Sequence, residues 1–271
     1  MQVYSLRTKM AKIICVVNQK GGVGKTTTTV NLAASLAVAN RKTLVVDFDP
    51  QGNASSGLGI EKESDDPNIY DALIGETEID KTIKSVHEEN LKGYLHISPS
   101  DADLTGAEIE LLQLEDRETR LKKTLSKIDD KYDYILIDCP PSLSILTVNA
   151  LTAANSVLVP IQCEYYALEG LGQLQRTLSL IRQRLNPELE VEGYLLTMFD
   201  TRNNICHSVA KEIKKYFENK VFETVITRNV KLAEAPSFGK PLIIYDVKSS
   251  GADNYLSLAK EILSLNGGHS N

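Results

Sequence analysis

The chain has 271 residues, 42% hydrophobic and 24% charged, which suits one large α/β domain with a continuous core. No run of about 18 apolar residues occurs, so a bilayer-spanning helix is excluded and a soluble, cytoplasmic protein is expected. The formal net charge of −6 argues against an all-basic surface, yet residues 201–250 hold nine Lys/Arg against five Asp/Glu, a local +4 that leaves −10 for the remainder; any nucleic-acid contact is therefore expected from this C-terminal third.

Residues 1–11 carry Arg7 and Lys9 without the apolar block of a secretory signal and are expected to be a short tail, with Met1 and Met10 both open as starts. Residues 12–18 form a β-branched apolar run of the kind that makes a strand covered on both faces. A helix is expected over 26–39, where Val30, Ala33, Ala34 and Ala37 fall at helical spacing. Between the two lies Asn18-Gln19-Lys20-Gly21-Gly22-Val23-Gly24-Lys25-Thr26-Thr27. Glycines there let backbone N–H groups converge on phosphate oxygens, and the helix N-terminus adds partial positive charge. In such a loop Lys25 reaches the outer phosphates and the Thr26 hydroxyl reaches Mg2+.

A second buried strand is expected over 43–48, ending in Asp47-Phe48-Asp49-Pro50-Gln51. Residues 61–100 are acidic and less periodic, and read as short helices on one edge. Further strands are expected over 132–138, 156–162, 192–199 and 221–227, with helices between most of them and a last amphipathic helix over 252–265, before Gly267-Gly268 ends the ordered chain. That alternation predicts a mainly parallel twisted sheet with helices on both faces. In such sheets ligands sit beyond the strands' carboxyl ends, so Asp47, Asp49 and Asp138, which close apolar runs, are expected near the phosphates. Asp138 is then placed to hold Mg2+ through water. Cys15, Cys139, Cys163 and Cys206 form no CxxC pair or metal-ligand spacing and read as small buried hydrophobes in a reducing compartment.

The glycine loop departs from the ordinary G-x-x-x-x-G-K-[ST] pattern, because Gln19 replaces the first glycine and Lys20 appears early. It resembles the deviant Walker-A loop K-G-G-x-G-K-[ST] of P-loop ATPases, and 44–53 and 134–141 are similar to that superfamily's D-x-D-P-Q switch and Walker-B strand. From 12 to about 263 the chain resembles the ParA/Soj chromosome- and plasmid-partitioning ATPases, also through 162–170, 196–200 and 228–237. The resemblance implies a single P-loop ATPase domain over 12–265, with tails at 1–11 and 266–271, and ATP and Mg2+ as cofactors. It implies nucleotide contacts from Lys20, Gly21, Gly22, Val23, Gly24, Lys25, Thr26, Thr27 and Asn229, and a metal region of Thr26, Asp47 and Asp138. By the same match Asp49 orients or activates the attacking water, and Lys20 acts in trans across a nucleotide-sandwich homodimer. It further implies non-specific double-stranded DNA binding through Arg202 and Lys231, a nucleoid location, and a ParB-type partner that stimulates hydrolysis and release. Lys231 stands where an arginine is expected, and Thr227 replaces a proline before Arg228-Asn229. A MinD-like membrane-positioning ATPase is the nearest alternative; it is disfavoured because 256–263 carries one cation and one acid. An iron–sulfur carrier and a non-hydrolysing scaffold are the more distant ones, the first lacking paired cysteine ligands and the second at odds with the intact Asp49 and Asp138.

Overall fold

The computed structural model describes residues 10–61, 66–164 and 167–267. Residues 1–9 of the expected tail at 1–11, Tyr165 and Tyr166 of the 162–170 segment, and the end of the chain from Gly268 lie outside the described residues. The strands are β1 (Lys12–Val16), β2 (Thr43–Asp47), β3 (Lys84–Ser85), β4 (Leu95–Ser98), β5 (Tyr134–Asp138), β6 (Ser156–Gln162), β7 (Glu190–Phe199) and β8 (Val221–Thr227). The helices are α1 (Lys25–Val38), α2 (Asn53–Gly57), α3 (Ile69–Ile74), α4 (Ile79–Thr82), α5 (Leu104–Glu110), α6 (Arg120–Leu125), α7 (Ile145–Ala153), α8 (Ala167–Arg184), α9 (Asn204–Phe217), α10 (Val230–Glu234), α11 (Leu242–Tyr245) and α12 (Ser250–Gly267).

One eight-stranded sheet runs in the order β3-β4-β2-β5-β1-β6-β7-β8, and every pairing except β3 with β4 is parallel. Side chains alternate across it with the period of two that a strand imposes. Ile13, Cys15 and Val17 join one buried layer with α3, α5, α6, α7, α8 and α9, while Ile14 and Val16 join the other with α1 and α12. Both faces are covered, which is why the strands read as unbroken apolar runs.

The edge of the sheet departs from expectation. Residues 61–100 do contain the short helices α3 and α4, but also β3 and β4, which extend the sheet. The strand β4 is only four residues long, and His96 interrupts its apolar pattern. That imidazole packs edge-on against Tyr132 with centroids 5.6 Å apart, and burial pushes its pKa down.

Candidate active site

The strands β1, β2 and β5 end side by side, with Asp47 in register with Asp138 and Val16 opposite Asp138. From β1 the chain turns through residues 17–24 into α1. Asn18 anchors the turn, its Nδ2 donating to the Pro160 carbonyl at 2.7 Å and its Oδ1 accepting from the Lys20 N–H at 3.0 Å. Gly22 and Gly24 take left-handed backbone (φ 73 and 89), which a side chain would oppose, and a Cβ on Gly21 or Gly22 would project into open space. Gly24 caps α1 without a side-chain acceptor, so the helix's first N–H groups face the concavity.

Lys25 is 7% exposed, and among the described residues its Nζ donates only to the Lys20 carbonyl, at 3.3 Å. Burial lowers its pKa, against the opposing pull of Asp138, Cys139 and Asp49. Thr26 and Thr29 donate to the two carboxylate oxygens of Asp138 at 2.7 and 3.1 Å. Asp138 is fully buried, and that burial, reinforced by Asp47, pushes its carboxyl up to about 8. Burial likewise raises Asp47, which accepts from the Ser55 N–H at 2.8 Å and its hydroxyl at 2.7 Å. Asp49 lines the cleft with Lys25 and Thr26, its Oδ1 accepting from the Gln51 N–H at 3.0 Å and its carbonyl from the Ser100 hydroxyl.

This cleft, about 370 Å³, joins an apolar cavity of about 340 Å³ through Gly24, Thr27 and Met198. Asn229 lines the cavity together with Ile226, Leu232 and Tyr255. A polar cradle beside an apolar slot matches a nucleoside triphosphate in shape and chemistry. The donor set also fits: a buried ammonium with no acidic hydrogen-bond partner among the described residues, helix N–H groups with no side-chain cap, and a Thr–Asp pair suited to Mg2+.

Thus Gly21, Gly22, Gly24, Lys25, Thr26, Thr27 and Asp49 line one cleft and Asn229 the adjoining cavity, with Asp47 and Asp138 packed beneath. The Val23 side chain is buried. Lys20 lies at the rim, ion-paired with Glu164. Arg202 and Lys231 lie apart from the cradle. The Arg202 guanidinium pairs with Asp200 at 2.9 Å, and Lys231 pairs with Glu234 at 2.8 Å over the Tyr245 ring. Thr29, Ser55 and Ser100 were not singled out from sequence, and Glu164 and Met198 entered only as members of the 162–170 and 196–200 segments; Thr29, one helical turn after Lys25, had a spacing that could have flagged it. Cys15 and Cys139 touch (Sγ to Sγ 3.1 Å) in the core, and all four cysteines are free and buried.

Residues 11–191 match the family described as an AAA domain. The chain is 56% identical over 254 residues to the chromosome partitioning protein ParA of Myxococcus xanthus, covering 94% of this chain and 88% of that one. It is 55% identical over 253 residues to the sporulation initiation inhibitor protein Soj of Bacillus subtilis, covering 93% and 98%. Among solved structures, cobyrinic acid a,c-diamide synthase from Mycobacterium smegmatis, with bound ADP and magnesium, superposes with a TM-score of 0.82 at 35% identity, covering 96% of this chain and 97% of that one.

Proposed function

The chain belongs to the ParA/Soj family of chromosome-partitioning P-loop ATPases, and from that premise we propose that ATP joins two copies into a sandwich that binds DNA without sequence preference. The observation that carries this reading is the pair of lysines in one loop. Lys25 is buried against its own cradle, whereas the Lys20 side chain, paired with Glu164, is 41% exposed.

When bound, Mg·ATP supplies the phosphoryl group transferred to water. The N–H groups of residues 21–27 and the Lys25 ammonium would bind phosphate oxygens, while Thr26 and Asp138 would hold Mg2+. Asp47 fixes Ser55 and hence the loop carrying Asp49, and Asp49 orients the water. Asn229 and the apolar cavity take the base. Lys20 of each copy reaches the other's cradle, so the cation that stabilises transferring charge arrives only on dimerisation. Arg202 and Lys231, in the basic 201–250 region, contact DNA phosphates, for which Lys231 needs only its charge. A ParB-type centromere-binding protein stimulates hydrolysis and release, in the cytoplasm and on the nucleoid, and the ATPase unit spans 12–265.

Against a MinD-like membrane reading stands α12, which buries Tyr255, Leu258, Ala259 and Ile262 in the core layer shared with α1. Its apolar face is engaged in packing rather than free for lipid. Among the described residues no helix is long and apolar enough to cross a membrane.

The test is DNA binding with ATP, ADP and no nucleotide for wild type, Lys20→Ala, Asp49→Ala and Arg202→Ala. Asp49→Ala should bind DNA with ATP yet hydrolyse poorly, Lys20→Ala should fail at dimerisation or turnover, and Arg202→Ala should dimerise but bind DNA weakly. DNA affinity indifferent to nucleotide state would sink the switch.

A further inference from the structure

Three non-glycine residues adopt left-handed backbone among those described: Asn40, Glu218 and Met198. Asn40 follows the end of α1, where this conformation is common, and Glu218 closes α9 with φ 41 and ψ −117 outside any strand. Met198 (φ 50) has no such excuse, since it lies within β7. Neither glycine nor asparagine occupies the position, and holding a methionine there costs on the order of 1 kcal/mol or more.

The strand pairing shows how the conformation arises. Leu196 lies opposite Val225 and Phe199 opposite Thr227, so over this step β7 carries one residue more than β8. The extra residue is a bulge, a device that re-aims a side chain and recurs beside functional sites. The bulge is pinned on both sides. Thr197 Oγ1 donates to the Val23 carbonyl of the glycine loop at 2.9 Å, and the Phe199 carbonyl accepts from the Arg228 N–H at 3.1 Å. Half-buried Met198 is thereby held where the polar cleft meets the apolar cavity, lining both.

We infer that Met198 is a specificity residue of the nucleotide site, its bulged backbone presenting the thioether as a wall against the nucleoside of the bound nucleotide. A thioether is polarisable and flexible and packs well against an aromatic heterocycle. Its contact reads the nucleoside and not the phosphates, because the phosphate donors come from the loop of residues 21–27. The inference rests on the nucleotide reading of the cleft.

The test compares Mg·ATP with inorganic Mg·tripolyphosphate as calorimetric probes of wild type, Met198→Gly and Met198→Leu. Glycine accepts the left-handed backbone and removes the wall. Met198→Gly should weaken ATP binding about tenfold while leaving tripolyphosphate within about twofold of wild type. Its ligand-free unfolding temperature should stay within a few degrees of wild type, since relieved strain offsets lost packing. Met198→Leu should recover most of the ATP affinity. The inference is overturned if Met198→Gly binds ATP as wild type does, if both probes weaken equally, or if the glycine variant fails to fold. Wild type binding neither probe would instead overturn the nucleotide site itself, and this inference with it.

Discussion

At the scale of single residues, the carboxylates under the cleft depend on neighbours far away in sequence. Asp47 carries no solvent contact and relies on Ser55, whose N–H and hydroxyl both donate to its Oδ2. The same hydroxyl accepts from the Ser100 N–H at 3.2 Å, and Ser100 in turn donates to the Asp49 carbonyl. Ser55 therefore links two strand ends to the loop that positions Asp49. Ser55→Ala removes one of Asp47's donors and leaves the Ser100 N–H without its acceptor, a loss of about 1–3 kcal/mol for groups this buried. Urea unfolding of the ligand-free protein should show that loss, and ATP turnover should fall further than ATP affinity does. Unchanged stability would mean that the chain or water replaces the hydroxyl. None of this was legible in the sequence. The loop from Asn18 to Thr27 was, because its donors are consecutive and the glycines that shape it are the signal itself. Ser55 and Ser100 meet across a gap that no local pattern records.

At the scale of elements, the strands buried on both faces and the edge strand β8 were readable, and the opposite edge was not. The strand β8 closes one end of the sheet, and α12 packs along it. The Glu261 carboxylate accepts from the Glu223 and Thr224 N–H groups at 2.8 and 3.1 Å, and Asn254 Oδ1 accepts from the Thr227 N–H at 3.0 Å. Helix side chains thus occupy strand donors that an exposed edge would offer to another chain. Glu261→Ala should speed hydrogen exchange at Glu223 and Thr224 about tenfold or more, with little change in global stability because water can solvate both amides. Unaltered exchange at these two positions would show that α12 protects the edge by packing alone. At the opposite edge, β3 and β4 were missed because a two-residue and a four-residue strand, the latter interrupted by His96, carry too few positions for a period of two to emerge. A third junction is equally silent in sequence. Gly59 and Gly239 both have positive φ, and a Cβ on Gly239 would fall 2.7 Å from the Gly59 Cα, so the loop after α2 and the turn before α11 meet backbone to backbone.

For the whole molecule, composition alone located the basic stretch at 201–250, which holds both proposed DNA contacts and also lines the apolar cavity. What composition could not show is that four of its cations, Arg202, Lys214, Lys231 and Lys240, are already paired with carboxylates. Arg202, with 87% of its side chain exposed, donates to both oxygens of Asp200, and the Arg202 guanidinium holds the Asp200 carboxyl down at about 2. Asp200 is therefore charged at every working pH and offsets most of the field Arg202 would present to a phosphate. A DNA backbone must compete with that carboxylate for the guanidinium. Asp200→Asn removes the competitor and keeps the shape, so on the proposed DNA-binding function the ATP-bound state should bind duplex DNA a few-fold more tightly. Its log affinity should also fall more steeply with log salt, by up to about one unit of slope, as one more phosphate contact is made. Lys231→Ala, by contrast, should weaken binding uniformly across sequences and flatten the slope. If Asp200→Asn weakens binding instead, the carboxylate orients Arg202 toward DNA rather than masking it, and the pair acts as one preorganised unit.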